Sequence, residues 1–353
     1  AMNRYLLIGV LGLAIAAYAP AHAQVQTEAP PVVKGAKPVK VERIKIHGEA
    51  LEGNLEGNAV DRDALVFLPP SYDQEDARRY PVVYALHGFY VGAEQWSQEI
   101  HAPQTIEGAS ALGAKEMIVV LPDSKTLHNG SMYSSSMTTG DFETFIARDV
   151  VAYIDAHYRT LPTRESRGLV GHSMGGYGAS RIGMKHPDVF GSLYIMSPCC
   201  LSARGLPPRE ALESLAQLER EDLEKQHFMV RATLAAAAAW SPNPKKPPFF
   251  LDLPLGDAQN EVLAKWAANA PLAFVDQYIG NLRRYRAIAL DVGDQDGLRV
   301  DTATLHKRLS EYGIANTFEE YPGTHTSKLG DRFQNHVMKF FSENLCFDER
   351  CPD

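Results

Sequence analysis

Gly171-His172-Ser173-Met174-Gly175 is a G-x-S-x-G pentapeptide. A short apolar run precedes it and an amphipathic stretch follows, so the serine falls on a strand–turn–helix junction. Such a turn forces the serine into a strained backbone conformation and lifts Ser173 Oγ above a sheet, at a helix N-terminus where developing negative charge is favoured. The bland alternative is a glycine-rich turn that happens to hold a serine. A hydroxyl is a poor nucleophile until a base takes its proton, and the base must itself be oriented by an acid. For a nucleophile on such a turn the chain order is Ser, then Asp or Glu, then His. His306, His325 and His336 lie late enough. His306 and His336 sit within helical patterns, whereas His325 lies on a loop, Gly323-Thr324-His325, directly after a strand pattern. Asp294 and Asp296 lie on another such loop, Gly293-Asp294-Gln295-Asp296-Gly297, with Asp291 still on the strand before it. Asp296 is the favoured acid. An EF-hand reading of these aspartates fails, because Val292 and Ala303 stand where that loop needs acids.

A tetrahedral intermediate also needs backbone N–H donors aimed at its oxyanion. One is expected from Met174, the residue after the serine. The other is expected from Phe89 in Leu86-His87-Gly88-Phe89, where Gly88 permits a tight backbone. His87 and His172 read as structural, the first anchoring its loop.

The elements that must position these residues alternate. Strand patterns run over 41–47, 59–68, 81–86, 117–121, 168–171, 192–196, 287–292 and 317–321. Helical spacing appears at 142–157, 175–186, 302–312 and 333–344. Strands and helices in this rhythm predict an α/β fold, a mainly parallel central sheet flanked by helices. Residues 201–281 break the rhythm with no strand pattern, an acidic helix at 209–226 and a proline-rich patch at 242–248. They read as a mostly helical insertion, since a structureless loop of that length is unusual.

The 353 residues are 45% hydrophobic and 22% charged, with a net charge of −8 and no clustered basic run. Nucleic acid and an anionic membrane surface both demand such runs, so neither is expected as a partner. Arg4, the apolar stretch Leu6 to Ala19 and Ala21-His22-Ala23 follow the order of a signal peptide cleaved after Ala23. That order predicts a secreted or periplasmic protein with no stable membrane anchor after cleavage. The proline-rich stretch 24–40 reads as a flexible lead-in to a domain spanning 41–353. Of the four cysteines, Cys346 and Cys351 flank a loop short enough for a disulfide, which export would favour. Cys199 and Cys200 are adjacent, and a bridge between neighbours is strained.

Three motifs carry a family resemblance. Phe67-Leu68-Pro69-Pro70-Ser71-Tyr72-Asp73, Tyr80-Pro81-Val82-Val83-Tyr84-Ala85-Leu86-His87-Gly88 and 171–179 (GHSMGGYGA) are similar to the esterase branch of the α/β hydrolases. That branch includes feruloyl esterases, S-formylglutathione hydrolases and mycolyltransferases. His186-Pro187-Asp188-Val189-Phe190-Gly191 and Tyr321-Pro322-Gly323-Thr324-His325 continue the likeness. The resemblance implies an α/β-hydrolase fold, a triad of Ser173, Asp296 and His325, and an oxyanion hole of the Phe89 and Met174 N–H groups. It also makes the loop 131–136, with Tyr133, a candidate pocket wall; a solvated serine-rich loop is the alternative. The insertion departs from the family pattern. It is expected to form a lid, with Trp240 lining the acyl or aryl side of the site.

The expected activity is cleavage of carboxylic esters, short-chain acyl or feruloyl-type, on a small-molecule or polysaccharide-linked substrate. No cofactor or metal is expected. An acyltransferase with an alcohol or sugar acceptor is the alternative enzyme, and a non-catalytic ligand-binding protein on the same scaffold is the alternative of another class.

Overall fold

Each of the strand patterns read from the sequence becomes a strand. In a computed structural model describing residues 25, 27–203, 206–348 and 351, they are β1 (Lys40–His47), β2 (Asp61–Leu68), β3 (Val82–Leu86) and β4 (Ile118–Pro122), then β5 (Arg167–His172), β6 (Ser192–Met196), β7 (Ala287–Gly293) and β8 (Thr317–Tyr321). The expected signal segment 1–23 lies outside the described residues. The strands form one eight-stranded sheet in the order β1-β2-β4-β3-β5-β6-β7-β8. β1 pairs antiparallel with β2, and β2 with β4. All later pairings are parallel. Every residue of β3, β4 and β6 is buried, as strands covered on both faces must be. The edge strand β8 instead exposes Thr317, Glu319 and Glu320, charges that discourage pairing with another sheet.

Helices cover both faces. On one, α1 (Ala93–Glu99), α2 (Gln104–Ala111) and the C-terminal helical stretch 329–344 bury Trp96, Ile106, Phe333 and Phe341 against β3 and β4. On the other, the continuous helical stretch α3 (142–157), α4 (Met174–Lys185) and the helix Arg299–Glu311 bury Phe145, Ile154, Tyr177, Ile182 and Leu305. Apolar residues of 142–157 recur at helical spacing, which is why that face of α3 turns inward. Helices α1 and α2 are elements that periodicity did not mark, since their apolar residues are few and interspersed with Glu, Gln and Ser.

Between β6 and β7 lies the predominantly helical insertion, with α5 (Arg209–Ala216), α6 (Phe228–Trp240) and α7 (Gln259–Ala268). It buries a core of its own, formed by Leu212, Leu215, Leu223, Leu234, Phe249 and Leu251. The acidic helix expected over 209–226 is split. Helix α5 ends at Ala216 and a separate 3-10 turn spans Arg220–Lys225. The break falls where Glu219, Glu221, Asp222 and Glu224 crowd like charges on a helix, and it lets Arg220 donate to the Glu56 carbonyl at 3.1 Å.

The lead-in is docked rather than free. Gln104 donates to the Pro30 carbonyl at 2.7 Å, Glu107 accepts the Val39 N–H at 2.9 Å, and the Glu28 N–H reaches the Ser327 carbonyl at 3.2 Å. Proline-rich backbone has few hydrogen bonds of its own to make, so α2 and the 325–330 loop supply the partners. At the other end, Cys346 and Cys351 are joined by a disulfide.

Candidate active site

Strands β3, β5, β7 and β8 run parallel, so the loops that follow them emerge at one edge of the sheet. Those loops carry Phe89, Ser173, Asp296 and His325. Ligands of open α/β sheets bind at that edge.

Ser173 caps α4 with φ 58° and ψ −114°, a conformation that costs energy and persists only where the surroundings impose it. Its N–H donates to the Met196 carbonyl at 3.1 Å, while its own carbonyl accepts the Tyr177 and Cys199 N–H groups at 2.9 and 3.1 Å. The flanking glycines follow from contact. A Cβ on Gly171 would stand 1.9 Å from the Gly175 carbonyl oxygen, and one on Gly175 2.0 Å from that of Leu86. The turn presses β5, α4 and β3 together, and only glycine allows it.

Asp296 and His325 meet across 29 residues of sequence, with His325 Nδ1 donating to Asp296 Oδ2 at 2.7 Å. This bond fixes the tautomer and leaves Nε2 as the proton acceptor. Asp296 Oδ1 accepts the Leu298 N–H at 2.9 Å. Burial alone would raise the Asp296 carboxyl, but the hydrogen bond and charge of His325 and the Leu298 N–H outweigh it and hold the pKa below the usual value. Asp294, the other carboxylate of the loop, points elsewhere. It accepts the Gly323 N–H at 3.0 Å and so ties the acid loop to the histidine loop. His306 and His336 lie on helices, the former bonded to Asn316 at 2.6 Å.

The two remaining histidines of the region support the loops. His172 donates from Nε2 to the His325 carbonyl at 2.8 Å, and the two rings lie 4.6 Å apart. Burial, then the neighbouring His325, push His172 down to about 3, so it stays neutral. His87 is buried and accepts the Ser124 N–H at Nε2 (2.8 Å) while Nδ1 faces the Gly88 carbonyl at 2.8 Å. These bonds hold the Gly88-Phe89 turn beside Ser173, whose Cβ a Cβ on Gly88 would meet at 3.5 Å. The Met174 N–H is in the first turn of α4, where no intrahelical acceptor exists.

Tyr133 takes a different place from the pocket wall expected of it. It is fully buried, its ring against Gly178 of α4 and its hydroxyl donating to the His87 carbonyl at 3.0 Å. A side chain without exposed surface supports the loop from behind. Trp240 is half-buried, donating to Ser134 Oγ at 3.1 Å and packing on Tyr177 and Trp266 at 5.7 and 6.5 Å. The insertion residue that reaches the Phe89 loop is Phe228, whose ring meets Phe89 edge-on at 5.1 Å and Tyr90 at 5.7 Å. Nothing local in the chain marks the partners of Phe228, which lie well over a hundred positions away.

The insertion is also tied to α4, the helix that Ser173 caps. Asn269 accepts from Tyr177 (2.7 Å) through its carbonyl and from Arg181 (2.7 Å) through Oδ1, and Arg181 in turn donates to Glu143 of α3 at 2.7 Å. This Glu143–Arg181–Asn269 chain escaped the sequence reading. A groove of about 750 Å³ elsewhere, lined by Ala287, Thr317, His336 and Lys339, lies at the opposite strand ends and includes none of Phe89, Ser173, Met174, Asp296 and His325. Among the described residues no group of three or more His, Cys, Asp or Glu could hold a metal ion.

Strand order, turn and loop placement together define an α/β-hydrolase fold. Residues 59–337 match the family model described as "Putative esterase", and the chain belongs to that family. An esterase of Mycobacterium tuberculosis is 31% identical over 130 residues, 36% of this chain and 27% of that protein. An endo-1,4-beta-xylanase/feruloyl esterase of Xylanibacter ruminicola is 29% identical over 140 residues, 38% of this chain and 19% of that protein. The chain thus spans between about a fifth and a third of the length of the curated relatives it matches. A ferulic acid esterase structure superposes with a TM-score of 0.62 at 23% identity, covering 87% of this chain and 99% of the other. An S-formylglutathione hydrolase from Agrobacterium tumefaciens gives 0.57 at 15% identity, covering 87% and 96%.

Proposed function

We propose that this chain is an exported serine esterase that hydrolyses carboxylic esters through an acyl-enzyme. The observation that carries the reading is the Asp296–His325 hydrogen bond of 2.7 Å on the sheet edge that also presents Ser173 in its strained turn. Ser173 Oγ attacks the ester carbonyl as His325 Nε2 takes its proton, and Asp296 stabilises the imidazolium without accepting that proton. The Phe89 and Met174 N–H groups receive the oxyanion. His325 then protonates the leaving alcohol, water replaces it, and the same steps in reverse order release the acid.

Family membership supports the ester chemistry, and the order of charge, apolar run and Ala-x-Ala near the N-terminus supports export. For the acyl side, we infer an aryl or short acyl group. Phe228, edge-on to Phe89 and tilted against Tyr90, supplies an aromatic wall contributed by the insertion, which in this reading roofs the site as a lid.

Ser173→Ala and His325→Ala are each expected to lower hydrolysis of 4-nitrophenyl acetate by on the order of 10³-fold or more, since the residues act as a unit. Turnover that survives Ser173→Ala would sink the assignment of Ser173 as nucleophile, and a wild-type chain without turnover on any ester would leave a ligand-binding protein on this scaffold. A panel from acetate to palmitate esters, with methyl ferulate alongside, reads the acyl preference.

A further inference from the structure

Two cysteine pairs in this chain have opposite geometries. Cys346 and Cys351 are bridged with Cα atoms 5.9 Å apart, inside the range of about 4.4–6.8 Å usual for a disulfide. Cys199 and Cys200 are chain neighbours, so their Cα atoms are held about 3.8 Å apart or less, short of that range. Their sulfurs nonetheless lie 2.7 Å from each other, closer than the roughly 3.5–4.0 Å of ordinary non-bonded contact. Cys200 adopts φ 60°, a left-handed conformation that a residue with a side chain keeps only when its surroundings hold it there. The surroundings do hold it. The Cys199 N–H donates to the Ser173 carbonyl at 3.1 Å, and the Leu201 carbonyl accepts the Leu272 N–H at 3.0 Å. Both residues are half-buried.

We propose that Cys199 and Cys200 form a reversible redox site, closing to a vicinal disulfide with a low-molecular-weight disulfide such as oxidised glutathione. The Cys200 thiolate attacks one sulfur of the oxidant and expels one glutathione thiolate. Cys199 gives up its proton, attacks the Cys200 sulfur of the mixed disulfide and expels the second. The pair loses two electrons and two protons, and the oxidant is reduced to two thiols. A bridge between neighbours is strained, and strained bridges are the more readily reduced ones. This pair therefore opens and closes under conditions that leave Cys346–Cys351 intact. It also sits where closure is felt, because the Cys199 amide braces the Ser173 carbonyl and Leu201 begins the insertion.

The test uses the full chain with Cys346→Ser and Cys351→Ser, so that only the neighbouring pair titrates. After oxidised glutathione, then iodoacetamide, intact mass should show no alkylation and no glutathione adduct, against two alkylated thiols beforehand and again after dithiothreitol. Two labels throughout, or a persistent glutathione adduct, overturn the proposal. Peptide mapping of the wild-type chain under the same treatment guards against a misfolded variant and should give the same linkage. A second arm rests on the ester reading: turnover of 4-nitrophenyl acetate should differ at least about twofold between the two states, and Cys199→Ser should abolish that sensitivity. Equal turnover in both states overturns the coupling to the site. Absence of turnover in either state would count against the ester reading while the thiol count still decides the redox site.

Discussion

The loops at the carboxyl edge of the sheet and the insertion at 201–281 are built on different principles. The loops carry few residues, and each is held by at least one hydrogen bond to a neighbouring loop. Asp294 binds Gly323, His172 binds the His325 carbonyl, and His87 binds Ser124. Each loop leaves a strand whose last residue is buried, so the loops start from fixed points. The insertion has its own small apolar core and meets the rest of the chain through scattered contacts. These include Trp240 to Ser134, Tyr177 to the Asn269 carbonyl and the Phe228 ring on Phe89. The difference teaches where precision resides. In the proposed reading, chemistry that tolerates little misplacement falls on the rigid edge, while the insertion, with a small core of its own, sets which acyl group fits.

The largest expected effect tests the rigid side of this contrast. Asp296→Asn should reduce kcat for 4-nitrophenyl acetate by on the order of 10³–10⁴-fold, because an amide offers His325 the wrong hydrogen-bond pattern. Asp294→Asn keeps an oxygen that can accept the Gly323 N–H, and should cost less than about tenfold. A reversed ranking would show that Asp294 holds the imidazole during turnover.

The next effect tests the joint between the two regions. Burial would raise Glu143, but His186, Arg181 and Lys185 overcome it and bring its pKa down to about 2 from 4.5. A carboxylate with a depressed folded-state pKa stabilises the fold fully above its unfolded value and loses that contribution as pH falls through the folded one. Stability to urea should therefore decline between pH 4.5 and about 2. Glu143→Gln should cost about 2 kcal/mol near neutrality and much less at pH 3. An equal cost at both pH values would mean that packing, not charge, links α3 to α4.

The smallest effect tests the adaptable side. Phe228→Ala removes the edge-on contact with Phe89 and should change the ratio of kcat/KM for methyl ferulate over 4-nitrophenyl acetate by about three- to tenfold, in line with the roughly 0.5–1.5 kcal/mol of such aromatic pairs. Global stability should hardly move, since Phe228 is 47% exposed. An unchanged ratio would place the insertion away from the acyl site.

All eight strands of the large sheet and its parallel character are legible in the chain, because burial demands short apolar or alternating runs and the turns between them demand glycine and proline. The pentapeptide around Ser173 is legible for a similar reason. Two of its glycines stand where any Cβ would collide with backbone, so the constraint is local. The position of His325 after a strand is local as well. The choice between Asp294 and Asp296 was not so constrained. Both are aspartates on one loop, and only the path of the 323–325 loop decides that Asp296 receives the imidazole N–H and Asp294 the Gly323 N–H.

What the tertiary structure alone decided concerns contacts between distant segments. Tyr133 is a loop residue next to serines, and nothing local says that its ring lies beneath Gly178 with its hydroxyl on His87. Helices α1 and α2 have too few apolar positions to announce themselves, yet Trp96 and Ile106 bury against the sheet. The docking of the lead-in on α2 and the approach of Phe228 to Phe89 share this origin. Periodicity and turn chemistry record which face of an element is buried, but not which element buries it. That second choice is made by the whole packed chain, through contacts whose partners are far apart in sequence.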